Sequence, residues 1–142
     1  MFDLRRSYGF NKEAADKGAK FVVGADPETD YVLVRMIPND EYRQRLIALA
    51  QANSKKLDIL KEQDPKAHFK LDRELQSQAI AETVITGWGS GFGDNGEPVE
   101  YSVEACMNVL DKYPSFRSDI IEFAADRKNF PLQPDIEDAK KS

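Results

Sequence analysis

The 142-residue chain has one cysteine, Cys106, and one histidine, His68. A lone thiol closes no disulfide within the chain, and neither residue has a second cysteine or histidine with which to cage a zinc ion. The same scarcity argues against a hydrolase triad. No apolar run approaches the ~18 residues of a membrane-spanning helix. The start, Met1-Phe2-Asp3-Leu4-Arg5-Arg6, lacks the apolar stretch of a signal peptide, so a cytosolic protein is expected. Basic excess is missing too. The formal net charge is −5 and the pI near 5.0, and Lys and Arg alternate with Asp and Glu instead of forming a stripe. Arg5-Arg6 is the only tight basic pair near the start, and two charges give little affinity for phosphates. Neither a nucleic acid nor a membrane is expected as a partner.

What is present suits one globular domain over residues 1–142, with an ordered body at 18–127 and a flexible tail at 128–142. Hydrophobic residues make up 41% and charged residues 32%, which is slightly charge-rich. The runs Ala19-Lys20-Phe21-Val22-Val23-Gly24 and Tyr31-Val32-Leu33-Val34-Arg35-Met36-Ile37 flank a turn-rich segment and predict an antiparallel hairpin. Asn39 then caps a helix, along which Tyr42, Leu46, Leu49, Asn53, Leu57 and Leu60 recur at helical spacing. Asp64-Pro65 starts a second helix, with Leu71, Leu75, Ala79, Ile80 and Val84 carrying its stripe to about Thr86. A connection this short folds the two helices back as an antiparallel pair.

Residues 87–98 hold five of the eight glycines and read as a loop, with Asn95-Gly96 as a tight turn of positive φ. Pro98-Val99-Glu100-Tyr101 reads as extended. Ser102 caps a helix running to about Leu110, Pro114 restarts another to about Ala124, and a charged, proline-containing end follows from Lys128. The fold expected is therefore α+β and mostly α: a short N-terminal β-hairpin, a long antiparallel helical hairpin, a Gly-rich loop, short C-terminal helices and a disordered tail.

None of the familiar chemical motifs is complete. The glycines at 87, 89, 91 and 93 are not followed by the Lys of a phosphate loop, and a helix precedes them where a dinucleotide site needs a strand. Aligning Gly96 with the sixth position of a calcium loop puts glycines at the first two ligand positions and Ser102 at the last. His68 reads as a surface imidazole and Cys106 as a small core side chain. Glu97, Glu100 and Glu104 could group about Tyr101, but no base or nucleophile is spaced to work with them. We therefore expect no enzyme, catalytic residue, metal or cofactor. Trp88 and Phe92, within the glycine-rich connection, have two readings. They plug a gap between the helical hairpin and the later helices, or they anchor a partner, together with Tyr101, as interface aromatics do.

The segment closing on Ile85-Thr86-Gly87-Trp88, the turn Asp94-Asn95-Gly96-Glu97-Pro98-Val99, and the helix starts Tyr101-Ser102-Val103-Glu104-Ala105 and Tyr113-Pro114-Ser115-Phe116-Arg117 together resemble the tail assembly chaperones of long-tailed bacteriophages. The match is clearest over residues 79–125, and the glycine spacing of 87–93 is longer than the family pattern. The resemblance implies a non-enzymatic protein of the host cytoplasm, absent from the mature virion. Such a protein binds the tape measure protein, keeps it soluble and helps recruit tail tube protein around it; self-association is compatible with that work. Trp88, Phe92 and Tyr101 are then the expected partner-binding residues. Members of that family are often made in two lengths by ribosomal frameshifting, and codons for Ala139-Lys140-Lys141 can contain a slippery heptamer. Alternatives from other classes are a small structural or completion protein retained in the tail, and an inhibitor directed at a host protein.

Overall fold

The computed structural model describes residues 1–132. Residues 133–142, which include most of the expected tail and Ala139-Lys140-Lys141, lie outside the described residues. The described chain is mostly helical with a small antiparallel sheet, as the change of hydrophobic period at Pro38 predicts. Strands β1 (Ala19–Val22) and β2 (Tyr31–Val34) form the expected hairpin, with Ala19 opposite Val34 and Val22 opposite Tyr31. Val32 and Val34 point to one side, as period-2 geometry requires, and are completely buried.

The sheet has a third strand where a helix end and a loop were expected. Ile85–Trp88 forms β3, pairing antiparallel with β2 so that Leu33 faces Gly87 and Val32 faces Trp88. Thr83-Val84-Ile85-Thr86 is β-branched throughout, and such side chains fit a pleated strand better than the crowded surface of a helix. The pairing then runs on into the glycines. Gly89 N–H donates to the Tyr31 carbonyl and Gly91 N–H to the Thr29 carbonyl, each at 2.9 Å. A Cβ on Gly89 would stand 2.1 Å from the Thr29 carbonyl oxygen, so the ladder closes only around a residue without one. Gly89→Ala is accordingly expected to cost about 1–3 kcal/mol, the usual range for overpacking. An unchanged urea midpoint would contradict this reading of the loop.

The rest of the loop is ordered as well. β4 (Gly93–Asp94) and β5 (Glu97–Pro98) form a tiny hairpin, turned by Asn95 at φ 55° and Gly96 at φ 80°. That is the Asn-Gly turn predicted from sequence.

The helical caps fall where the sequence puts them. Asn39 accepts from Tyr42 N–H at the start of α3 (Asp40–Ala52), Asp64 from Ala67 N–H at α5 (Pro65–Thr83), and Ser102 from Ala105 N–H at α6 (Val103–Lys112). The first long helix is interrupted at Asn53, beyond which α4 (Ser54–Gln63) continues. The Asn53 side-chain amide donates to the Leu49 carbonyl at 2.8 Å, beside the Asn53 backbone N–H, which donates to the same oxygen at 3.2 Å. Helices α3 and α4 both pack on α5. Leu49, Leu75 and Ala79 form a small core between α3 and α5, bordered by Tyr42, Leu46, Leu57 and Leu71. The main core lies under the sheet, where Val32, Val34, Ile80, Val84 and Ile85 meet Cys106, Leu110, Ile120 and Ala124 of α6 and α7 (Pro114–Ala125).

Both ends are more structured than the sequence suggests. Residues before the hairpin form α1 (Leu4–Tyr8) and α2 (Lys12–Lys17), and Asn11 caps the second through Ala14 N–H. At the other end the expected tail from residue 128 starts too early. Residues Arg127–Asn129 make a 3-10 turn, and Phe130 is fully buried with its ring 6.0 Å from that of Phe123. Its carbonyl accepts from Asn11 N–H at 2.8 Å, joining the segment after α7 to the one before α2. Charge and proline flank Phe130, but one aromatic ring with a waiting pocket outweighs a polar neighbourhood.

Candidate functional site

The three aromatics singled out from sequence are brought together. Trp88 at the end of β3 stacks on Phe92 with ring centroids 4.1 Å apart, and meets the edge of Tyr101 at 5.0 Å. Both arrangements are favourable for aromatic pairs. Phe116 of α7, which no sequence pattern links to them, completes the group at 5.9 Å from Phe92. The polar ends are satisfied inside the protein. Trp88 Nε1–H donates to the Val99 carbonyl at 2.7 Å, and the Tyr101 hydroxyl donates to the Ile85 carbonyl at 3.0 Å. Burial raises the Tyr101 pKa above the ordinary phenol value. Phe92 is buried, whereas Trp88 and Tyr101 each keep a partly exposed edge.

This geometry joins β3, the glycine loop and the start of α6 around one contact, which is the work of a plug between layers. The small hairpin is tied down beside it. Asp94 accepts from Lys112 Nζ at 2.8 Å and from the Tyr113 hydroxyl, and these bonds hold its carboxyl below the usual carboxylate range. The remaining candidates stay apart. His68 is half-buried in the first turn of α5, and no group of three or more His, Cys, Asp and Glu able to hold a metal occurs among the described residues.

Cys106 is completely buried in the main core, and burial pushes its thiol up to about 12. Because the thiolate is the reactive form, the native protein is expected to resist a disulfide reagent at pH 8 and to react promptly in denaturant. Rapid labelling of the native protein would contradict that placement.

Two features were not visible in the sequence. Arg117 is buried at 9% exposure, donating from Nε to Ser77 Oγ at 3.1 Å and from a terminal nitrogen to Gln76 Oε1 at 2.9 Å. Burial lowers its pKa, and the nearby Arg73 adds to the effect. The second is exposed apolar surface on the long helices: Ile47 of α3 is 50% exposed and Ile59 of α4 is 55% exposed. Both lie off the apolar stripes that the sequence displays, so periodicity hides them.

The sequence pattern of the YdaY prophage protein family matches residues 37–141, most of the chain. The chain belongs to that family. It is phage-derived, and the family match takes in the helical hairpin, β3, the aromatic cluster and both later helices. No curated protein and no solved structure matches the chain. Among the described residues, no helix is long and apolar enough to cross a membrane.

Proposed function

We propose that this member of the YdaY prophage protein family is a non-enzymatic tail assembly chaperone. In this reading it binds the tape measure protein in the host cytoplasm, helps bring tail tube protein to it, and leaves before the virion is complete. The observation that carries the reading is exposed apolar surface on a charge-rich helical scaffold from a phage family. Ile47 and Ile59 stand out among Arg43, Lys55, Lys56 and Lys61 on α3 and α4. Apolar side chains of this kind suit the face of an amphipathic client helix, and the surrounding charges keep the complex in solution. The partly exposed edges of Trp88 and Tyr101 offer the client a second contact, with Phe92 supporting them from beneath. Such work needs no cofactor, nucleic acid or membrane.

The test is solubility. Co-expression with the tape measure protein of the same prophage is expected to move that protein from the insoluble to the soluble fraction. Ile47→Asp with Ile59→Asp should weaken the effect at least tenfold in a pull-down titration while leaving the melting temperature within a few degrees. A tape measure protein equally insoluble with and without the chain would contradict the proposal. A chain found at fixed stoichiometry in purified virions would favour the structural or completion protein instead.

A further inference from the structure

The first helix is scarcely covered. No residue of α1 is buried, and Phe2 and Leu4 are each 68% exposed. Its five residues are far short of the ~12–15 that an isolated helix needs in water, so a helix this short keeps its shape by packing. Asp3 caps it by accepting from Arg5 N–H at 3.1 Å, but a single cap does not make up the difference. Leu4 and Tyr8 stand one turn apart on the same face, and the Phe2 ring meets that of Tyr8 edge-on at 6.2 Å. An open hollow is lined by Met1, Phe2, Asp3, Leu4 and Arg6. The charge here is basic. Arg5 and Arg6 lie on the helix, Arg127 stands over the Tyr8 ring at 5.2 Å, and Asp3, 3.8 Å from Arg6, is the one acid among residues 1–9.

The chain passes this helix a second time. Phe130 is fully buried and its carbonyl accepts from Asn11 N–H, which fixes the path of the residues after α7. Two positions on, Leu132 reaches the C-terminal cap of α1. A Cβ on Gly9 would stand 2.6 Å from Leu132 Cδ1 and 2.3 Å from the Arg5 carbonyl oxygen, so Leu132 and Arg5 close on the same point. The residues that follow are Gln133-Pro134-Asp135-Ile136-Glu137-Asp138, three carboxylates around one aliphatic side chain, with no cation before Lys140. Pro134 disfavours helix at Gln133 and so favours an extended exit from Leu132. At ~3.3 Å per residue Ile136 can reach about 13 Å from Leu132, whereas Leu4 is only about 8 Å back along α1 from Gly9.

We propose that residues 133–138 fold back as a strap over α1, with Ile136 seated among Phe2, Leu4 and Tyr8 and the carboxylates of Asp135, Glu137 and Asp138 facing Arg5, Arg6 and Arg127. The strap supplies the cover that α1 lacks, apolar at its centre and ionic at its rim. Exposed ion pairs are weak singly and screened by salt, so Ile136 carries the contact and the acids set its register. A tethered segment is held at high effective concentration, which lets so small a contact close. The strap is independent of the chaperone reading.

Backbone amide NMR relaxation and hydrogen exchange on the full chain test it. At low salt, residues 135–138 are expected to show order parameters near the ~0.85 of rigid backbone. Ile136→Asp should bring them below ~0.6 and leave the melting temperature within a few degrees. The Ser7 and Gly9 amides, bonded to the Asp3 and Arg5 carbonyls, should then exchange about tenfold faster. Phe2→Asp should release residues 135–138 from the other side of the contact. If Phe2→Asp melts α1 itself, neutralising the strap with Asp135→Asn, Glu137→Gln and Asp138→Asn must still speed Ser7 and Gly9 exchange at low salt, and the difference must vanish at ~1 M salt. Order parameters below ~0.6 in the wild type, or Ser7 and Gly9 exchange unmoved by Ile136→Asp, would overturn the proposal. So would order that appears only as the sedimentation mass rises to twice 16.1 kDa, which would seat the strap on a second copy.

Discussion

Replacing Trp88 by alanine is expected to lower the free energy of unfolding by about 3–5 kcal/mol, the range for removing a packed large aromatic. Trp88 stacks on Phe92, takes the edge of Tyr101 and donates to the Val99 carbonyl, so its loss empties the joint between the sheet and α6. The Val99 carbonyl also loses the indole donor, which adds the cost of an acceptor left short of a partner. Trp88→Phe should recover part of the stability, since a smaller ring can stack but has no N–H to donate. Trp88 is the only tryptophan, so urea unfolding has to be followed by circular dichroism. A loss below about 1 kcal/mol would mean that the ring serves a partner surface more than the fold.

Phe130→Ala should be as damaging, again by about 3–5 kcal/mol. Phe130 has no exposed surface, lies edge-on to Phe123, and follows a 3-10 turn that brings it back onto the body. Phe123 in turn stacks on Phe21 of β1 at 4.9 Å, so three aromatics bind the segment after α7 to the sheet. Lys128→Ala, two residues away on an exposed position, is the control and should change stability by less than about 0.5 kcal/mol. Equal, small effects from both substitutions would show that residues after Asp126 do not belong to the core.

These two aromatics mark the reach of the sequence. The caps at Asn39, Asp64 and Ser102 were legible because a short polar side chain before a periodic apolar stripe has one structural meaning. The Asn95-Gly96 turn was legible for a similar reason, since positive φ at successive residues selects that pair. Strand β3 was not, because Val84 and Ile85 extend a helical stripe as well as they begin a strand. Only pairing with β2, more than fifty positions earlier, decides between them. Phe130 was hidden by its charged neighbours. That Trp88, Phe92 and Tyr101 would converge was foreseeable from their places around one loop, whereas Phe116 joined them through tertiary packing alone. Ile47 and Ile59 could not be found by period, because a residue off the buried stripe looks like any other surface position until its exposure is known.

A transient complex with the tape measure protein is what separates a chaperone from a component of the tail. The direct measurement is quantitative mass spectrometry on a prophage-induced culture, comparing affinity-purified chain from the cell extract with purified virions. The expected result is the tape measure protein co-purifying at fixed stoichiometry from the extract, with the chain itself missing from the virions. A chain recovered without the tape measure protein, but present at constant copy number in every particle, would contradict the chaperone assignment.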